Sequence, residues 1–200
     1  MVCQGTIIPM NEKLVIAVIE GTTRPKRESI KASRFVASIG ERYPGVELVF
    51  VDPRDFTFPD DGNDDEGKDP RYTAITARAD GFFIVTPEYN HSFPGSLKRM
   101  IDSEYEHYYH KAVAIAGVSN GGWGGTRAVE GLLPLLHTIG LVIAQHTPYF
   151  PRVQNIFDEQ GAIHPDQADT YTKTVQAAWD ELIWLARLLK AGRNAPSNDA

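Results

Sequence analysis

Five short apolar runs are spaced along the chain, and polar loops or segments with helical periodicity separate them. The first run, LVIAVI, is apolar at every position, which is typical of a strand covered on both faces. The runs lie at 14–19, 46–51, 81–85, 112–116 and 141–145. Strands that alternate with helices predict an α/β fold, with one parallel five-stranded sheet and helices on both of its faces.

Apolar side chains recur at helical spacing between these runs. The spacing predicts helices at 29–43, 71–79, 94–101, 128–139 and 171–189. Pro94 suits the first helical position, where the missing N–H would have no partner in any case. The acidic stretch 52–70 has no usable period and is predicted to be a long loop.

The same pattern predicts a single domain. Two hundred residues, of which 42% are hydrophobic, suit one ordinary globular core, and we find no internal repeat or interdomain linker. We expect an N-terminal extension at 1–13, the α/β domain at 14–190 and a disordered tail at 191–200.

Composition narrows the class of partner and the compartment. The net charge of -6 argues against nucleic acid as a partner, because such surfaces need clustered Lys and Arg. Cys3 is the sole cysteine, which excludes an intrachain disulfide and favours a reducing compartment. No apolar run approaches the ~20 residues of a membrane helix, and the start lacks the layout of a signal peptide. We therefore expect a cytoplasmic protein without a membrane partner.

Ligands of parallel sheets bind at the carboxyl ends of the strands, and the first loop there is EGTTRPKRESIK at 20–31. Gly21 permits a tight turn, and a predicted helix begins near Ser29. The N–H groups of a helix N-terminus stabilise an anion, and hydroxyls and arginines would complete a phosphate cradle. The spacing is neither G-x-G-x-x-G nor that of a Walker loop. The alternative interpretation is a solvated basic turn.

The second loop, TPEYNHSFPGSLKRMID at 86–102, follows the third strand and contains no obvious nucleophile. Pro87 fixes the backbone, so we expect the amides of Glu88, Tyr89 and Asn90 to face the edge of a planar molecule. The Tyr89 ring would cover one face of that molecule. The alternative interpretation is an ordinary turn between a strand and a helix.

The third loop, GVSNGGWGGTRA at 117–128, has a nearly bare backbone before a helix. It also contains a formal G-x-S-x-G, which raises the alternative of a serine hydrolase built on Ser119, Asp158 and His164. A nucleophile elbow needs its helix directly after the serine, whereas NGGWGG keeps the chain loose. The hydrolase interpretation also leaves the first two loops without a role.

Other candidate sites have weaker support. His107 and His110 are a conceivable metal pair on a helix, but a polar helix end or a subunit contact suits the interleaved tyrosines better, so no metal is predicted. Trp123 would either border a ligand or pack against the protein. Trp179 and Trp184 fall on one helical stripe, which indicates core or subunit interface.

At these loops the sequence resembles the NAD(P)H-dependent FMN reductases, flavodoxin-like proteins that include quinone, azo-dye and metal-ion reductases. TPEYNHSFPGSLKRMID is similar to their signature P-E-Y-N-x-S-x-P-G-x-L-K-N-x-I-D, with Arg99 where Asn is usual. SNGGWGGTRA resembles their second glycine-rich loop, and GTTRPKR resembles their phosphate loop. The likeness covers 14–151 and implies a doubly wound sheet of order 2-1-3-4-5.

The resemblance also implies FMN as cofactor, with NADPH or NADH as co-substrate. The phosphate would lie among Thr22, Arg24, Arg27, Ser29 and Ile30, and the isoalloxazine along Pro87, Glu88, Tyr89 and Asn90. Its pyrimidine end would face Ser119, Gly121 and Gly122.

The implied chemistry needs no catalytic side chain. A nicotinamide would deliver hydride to flavin N5, and a quinone, flavin, azo compound or similar small molecule would then accept it, with ping-pong kinetics. An electron carrier is the further alternative, but flavodoxins usually lack arginine in the phosphate loop, so Arg24 and Arg27 favour a reductase. The resemblance also implies a homodimer or homotetramer.

Overall fold

The computed structural model describes residues 13–60 and 67–195. These residues contain one six-stranded sheet, in which all strands pair in parallel. Its strands are β1 Leu14–Glu20, β2 Val46–Val51, β3 Gly81–Pro87, β4 Ala112–Val118, β5 Val142–Ile143 and β6 Tyr149–Phe150. The order is β2-β1-β3-β4-β5, and the short β6 also pairs with β4. The predicted α/β class and the order 2-1-3-4-5 are confirmed.

Helices cover both faces of the sheet. They are α1 Ser29–Gly40, α2 Pro70–Arg78, α3 Gly95–Asp102, α4 Thr126–Thr138 and α5 Pro165–Asn194. Side chains of α1 and α5 form one core layer, and those of α2, α3 and α4 form the other. Trp179 on α5 lies fully inside the first layer, where its Nε1 donates to the carbonyl of Val36 at 2.9 Å. Trp184 is 60% exposed, so it alone of the pair is available to another subunit.

The fifth strand is shorter than predicted. A strand was expected at 141–145, but only Val142–Ile143 pair with β4. The backbone N–H groups of Gln145 and His146 donate to the Glu181 carboxylate on α5, at 3.0 and 2.8 Å, instead of to β4. A helix carboxylate therefore draws the chain off the sheet edge, and β6 fills the vacated place opposite Gly117 and Val118.

Element ends differ from the predictions in smaller ways. α1 ends at Gly40 instead of near residue 43, and Pro94 precedes α3 as its N-cap. α5 continues through residues 191–194, which were assigned to the tail. The stretch 1–12 of the extension, 61–66 of the acidic loop and 196–200 of the tail lie outside the described residues.

The conceivable metal pair, His107 and His110, does not lie on a helix. Glu106–Tyr108 forms a single 3-10 turn, and His110 has a φ of 55°, outside helical backbone geometry. Across residues 13–60 and 67–195 no group of three or more potential ligands could hold a metal ion. No helix in these two segments has the length and apolar character needed to cross a bilayer.

Candidate functional site

The loops after β1, β3 and β4 meet at the carboxyl end of the sheet, because these three strands are neighbours. Gly21 lets the first loop cross β3 closely. Its N–H donates to the carbonyl of Val85 at 2.8 Å, and a Cβ there would lie 2.6 Å from that oxygen. Glycine is therefore required at this position for the two loops to meet.

The three loops enclose a cavity of about 230 Å³, here called the first cavity. Its position at the strand ends is the one expected for a ligand of a doubly wound sheet. It is lined by Arg24, Lys26, Arg27, Glu28, Ser29, Pro87, Glu88, Tyr89, Val118, Ser119, Asn120 and Val153.

Unused hydrogen-bond donors of the first loop border this cavity. α1 begins at Ser29 without a side-chain cap, so its first N–H groups keep a partial positive charge. Among the described residues, neither Arg24 nor Lys26 has a carboxylate partner. Two cations and a helix N-terminus at one wall are suited to an anion.

Arg27 belongs to the same loop but is engaged inside the protein. Its side chain is only 6% exposed and forms an ion pair with Asp52, and its Nη1 donates to the carbonyl of Thr22 at 3.0 Å. Its Nε lies 3.8 Å from Glu20. These contacts hold the loop in place, and a phosphate contact by Arg27 stays a prediction.

Glu20 lies fully buried at the end of β1, beneath the first cavity. The hydroxyl of Ser29 donates to its Oε1 at 2.6 Å, and the hydroxyl of Ser33 donates to Oε2. Burial raises the pKa of Glu20 to about 7, although the two serines and Arg27 act in the opposite direction. The Ser29 hydroxyl is thus committed to Glu20, which leaves its backbone N–H for a ligand.

The second loop forms a tight turn whose central residues, Asn90 and His91, have φ values of 50° and 65°. The N–H of Tyr89 donates to the carbonyl of Ser92 at 2.8 Å. The N–H of Glu88 donates to the carbonyl of Val118 at 3.0 Å. The amides of Glu88 and Tyr89 are therefore not free, contrary to the prediction, and only that of Asn90 lacks a partner in the described structure.

The ring of Tyr89 is also already covered. The Arg24 guanidinium lies over it, 5.4 Å from its centroid, and its hydroxyl is 3.1 Å from that of Thr22. The sequence predicts that Tyr89 covers a ligand and that Thr22 faces a phosphate. Both side chains instead join the first loop to the second.

The third loop has a continuous row of unused donors. None of the five consecutive backbone N–H groups at 120–124 donates to a described residue. Gly124 and Gly125 have φ values of 63° and 87°, which directs the chain abruptly into α4. The Ser119 hydroxyl donates to the carbonyl of Gly121 at 2.9 Å. The loop is therefore suited to a flat molecule with several acceptor atoms.

A more open cavity of about 740 Å³, the second cavity, lies on the other side of Tyr89. It shares Arg24, Glu88 and Tyr89 with the first cavity and extends to the start of α3. Its lining is Thr22, Thr23, Arg24, Glu88, Tyr89, Asn90, Pro94, Gly95, Ser96 and Arg99.

Most of the predicted site residues come together around these two cavities. Three do not line either cavity: Ile30, which is half-buried on α1, and Gly121 and Gly122 of the third loop. Gly122 lies beside Arg152, whose guanidinium would be 3.5 Å from a Cβ there.

The hydrolase constellation is not assembled. Ser119 lines the first cavity, whereas Asp158 and His164 line a separate groove with Glu28 and Lys31. In the described structure the Ser119 hydroxyl has Gly121 as its partner and no histidine. Without a base the serine is not an activated nucleophile.

Sequence reasoning missed several residues of the site. Lys26 was identifiable, since it lies between Arg24 and Arg27 in a basic loop. Val153 and Arg152 follow β6, and nothing in the sequence indicates that they reach the third loop. Arg127 joins the loops, because its Nη1 donates to Glu88 at 3.0 Å while its guanidinium lies 5.5 Å from the centroid of the Trp123 ring.

Comparison with known proteins gives the family of the chain. The model of the family described as NADPH-dependent FMN reductase matches residues 14–155. An NAD(P)H-dependent FMN reductase of Schizosaccharomyces pombe is 29% identical over 164 residues, which cover 75% of this chain and 78% of that protein. A quinone reductase of Pseudomonas putida is 25% identical over 166 residues, covering 78% and 87%.

A solved structure shows the same fold. The flavoenzyme NAD(P)H:(acceptor) oxidoreductase FerB of Paracoccus denitrificans superposes with a TM-score of 0.70 at 22% identity, over 86% of this chain and 98% of that one. The family description names FMN and NADPH, the cofactor and one of the two co-substrates expected from the sequence. The matched region holds all three loops, and the chain belongs to the NADPH-dependent FMN reductase family of oxidoreductases.

Proposed function

We propose that this chain binds FMN across the first cavity and uses it to reduce a small acceptor, such as a quinone or an azo compound, with NAD(P)H. The observation that carries the proposal is the set of unpaired donors at the carboxyl end of the sheet. The start of α1 and Asn120 both line the first cavity, and the free amides at 120–124 continue from Asn120 along the third loop. Relatives described as quinone reductase and NADPH azoreductase support the class of acceptor.

The residues present fit the phosphate of FMN. The uncapped start of α1 offers backbone N–H groups, and Arg24 and Lys26 offer charges without carboxylate partners in the described structure. Glu20 orients the Ser29 hydroxyl inward, so the phosphate would meet N–H groups and cations while the carboxylate remains beneath the loop. A dianion at the cavity wall would then be stabilised by charge-assisted hydrogen bonds.

The residues also fit the flavin ring. FMN, when bound, supplies the acceptance and onward transfer of hydride. The amides at 120–124 would donate to the oxygen and nitrogen atoms of its pyrimidine end, where negative charge develops on reduction. The Asn90 N–H would donate from the second loop, and the ion pair between Glu88 and Arg127 would keep the two loops in register.

Two alternatives are less well supported. An electron carrier needs no site for a dinucleotide, whereas the second cavity opens directly beside the first and carries two arginines. A serine hydrolase needs a base at Ser119, and the described structure gives that hydroxyl a carbonyl partner instead.

Steady-state kinetics with NADPH, FMN and a benzoquinone test the proposal. We expect parallel double-reciprocal lines, because the nicotinamide product leaves before the acceptor binds at the same flavin face. Ser119→Ala should retain most of the turnover, since its backbone contacts stay in place. No turnover with NADPH or NADH, or an esterase activity that Ser119→Ala abolishes, would reject the reductase.

The assembly and the location of the protein stay predictions. A homodimer or homotetramer and a cytoplasmic location are what the resemblance and the composition favour. Sedimentation of the purified protein would give the oligomeric state, and Trp184, 60% exposed on α5, is one aromatic side chain available to a subunit contact.

A further inference from the structure

The second cavity has a chemistry that binding of FMN does not use. It borders the first cavity along Arg24, Glu88 and Tyr89 and continues to α3, where the lining ends at Arg99. Around its walls Thr23 and Ser96 add hydroxyls to the two guanidiniums. The two arginines come from different elements, the first loop and α3, so the fold brings their charges to one open space.

The charges in this cavity are poorly neutralised. Arg24 has no carboxylate partner within residues 13–60 and 67–195, and Glu88 is already paired with Arg127 at 3.0 Å. Arg99 donates to Asp60 at 2.9 Å, but the Asp60 side chain is fully exposed and that of Arg99 is 44% exposed. Exposed ion pairs contribute little to stability, so an entering dianion would displace Asp60 without a large loss.

We infer that the second cavity is the subsite for the 2′-phosphate of NADPH, with Arg99 as the residue that selects NADPH over NADH. The inference rests on the proposed function, in which a nicotinamide dinucleotide approaches the flavin from this side. Arg24 contributes to both cavities and therefore adds charge without discriminating. Arg99 lines the second cavity and not the first, which makes it the discriminating cation.

A terminal phosphate suits this cavity better than the other anions of the reaction. The phosphate of FMN has the uncapped start of α1 in the first cavity, together with Lys26. A pyrophosphate carries one negative charge on each phosphate, whereas a 2′-phosphate approaches two charges and has three free oxygens. Two guanidiniums with nearby hydroxyls match such a group by charge-assisted, two-pronged hydrogen bonds.

Arg99→Asn is the direct test, because it removes the charge and keeps a side chain that tolerates the same helix. KM for NADPH should rise about tenfold or more, in line with the loss of a charge-assisted hydrogen bond. KM for NADH should stay within about twofold, since NADH offers no 2′-phosphate. Arg78→Gln is the matched control, because Arg78 is an exposed, carboxylate-paired arginine that lines neither cavity.

A binding measurement tests the subsite without relying on catalytic turnover. Calorimetry of the unmodified protein should show tighter binding of adenosine 2′,5′-bisphosphate than of 5′-AMP, and Arg99→Asn should abolish the difference. FMN affinity, followed by flavin fluorescence, should be the same in Arg99→Asn and in the Arg78→Gln control.

The outcomes separate this inference from the proposed function. An equal rise in KM for NADPH and for NADH in Arg99→Asn would place the shared pyrophosphate at Arg99 and overturn the inference. Unchanged KM values, or equal binding of the two adenosine nucleotides, would also overturn it while the reductase remained. A protein that binds the 2′,5′-bisphosphate at Arg99 but does not turn over NADPH would keep the subsite and reject the reductase.

Discussion

The two ends of the sheet each bury a carboxylate, and the two carboxylates are satisfied in different ways. At the amino end, Asp80 accepts from the backbone N–H of Val15 at 3.0 Å and from Lys190 and Arg193 on α5, at 3.0 and 3.1 Å. At the carboxyl end, Glu20 accepts from two serine hydroxyls, and its nearest cation, Arg27, is 3.8 Å away.

The comparison distinguishes a structural end from a binding end. At the amino end a further buried cation is also satisfied inside the protein: Lys111 donates to the carbonyls of Thr76 and Ala77 at 2.7 and 3.2 Å, which completes the end of α2. At the carboxyl end, within the described structure, Arg24 has no carboxylate partner and the amides at 120–124 donate to no residue. Donors left unsatisfied in one place are what a ligand site requires.

The largest expected effect is at the amino end. Asp80→Ala would leave an N–H and two cations of α5 without their acceptor and should lower the free energy of unfolding by about 3 kcal/mol. FMN affinity of the folded protein should not change, because both cavities lie at the opposite end of the sheet. Urea unfolding and a flavin titration measure the two quantities. If Asp80→Ala lost flavin affinity without losing stability, the distinction between a structural end and a binding end would be contradicted.

Arg24→Ala should weaken FMN binding and leave stability nearly unchanged, the reverse of Asp80→Ala. Losing one charge-assisted bond to the phosphate should weaken FMN binding by about 1.5–3 kcal/mol, while the free energy of unfolding changes by less than about 0.5 kcal/mol. Arg34→Ala is the control, because Arg34 is exposed on α1 and lines neither cavity. Equal FMN affinities in the two variants would remove Arg24 from the site.

Glu20→Gln tests the carboxyl-end network through pH. The pKa of Glu20 is raised from 4.5 to about 7, so its contribution to stability is fully present below pH 4.5 and is lost as the pH rises through about 7. A glutamine does not titrate. At about pH 8.5 the variant should therefore be more stable than the native protein, by about 3 kcal/mol, and the difference should vanish near pH 4.5.

Urea unfolding at both pH values measures this difference, and Glu47→Gln is a control with the opposite sign. Hydrogen bonds from Lys13 and Arg78 lower the pKa of Glu47. The stabilisation by Glu47 is therefore present at neutral pH and lost in acid. Glu47→Gln should accordingly be less stable than the native protein at high pH. An unchanged pH dependence in Glu20→Gln would mean that the buried carboxylate does not titrate in this range.

The smallest expected effect concerns the bare backbone of the third loop. A methyl group at Gly121 would meet only the Ser119 hydroxyl, at 3.9 Å. Gly121→Ala should therefore leave stability unchanged, yet weaken FMN binding by about 1 kcal/mol if the ring lies against the loop. Unchanged flavin affinity would place the ring elsewhere.

The fold and the position of the site were largely predictable from the sequence. The buried strands β1, β3 and β4 are continuous apolar runs and lie where they were predicted, and the half-buried edge strand β2 was predicted to the residue. The fifth strand was overestimated, because apolar letters at 141–145 do not reveal that Glu181, some 35 residues later, takes the backbone N–H groups.

Within the site, residue types were predictable but their orientations were not. Thr22, Arg27 and Ser29 have the right chemistry for a phosphate, yet their side chains are held by Tyr89, Asp52 and Glu20. These partners lie on other strands or loops, and their approach depends on the packing of the whole sheet. The free donors of 120–124 were indicated by the glycines, because bare backbone is a local property of the chain.

The flavin site can be tested by an anaerobic titration of the FMN-loaded protein, followed by its visible absorption. We expect about one equivalent of FMN to bind, NADPH to bleach its absorption, and a benzoquinone to restore it in a second, separate step. A protein that binds no FMN, or whose bound flavin is bleached by neither NADPH nor NADH, would contradict the assignment of the carboxyl end as a flavin reductase site.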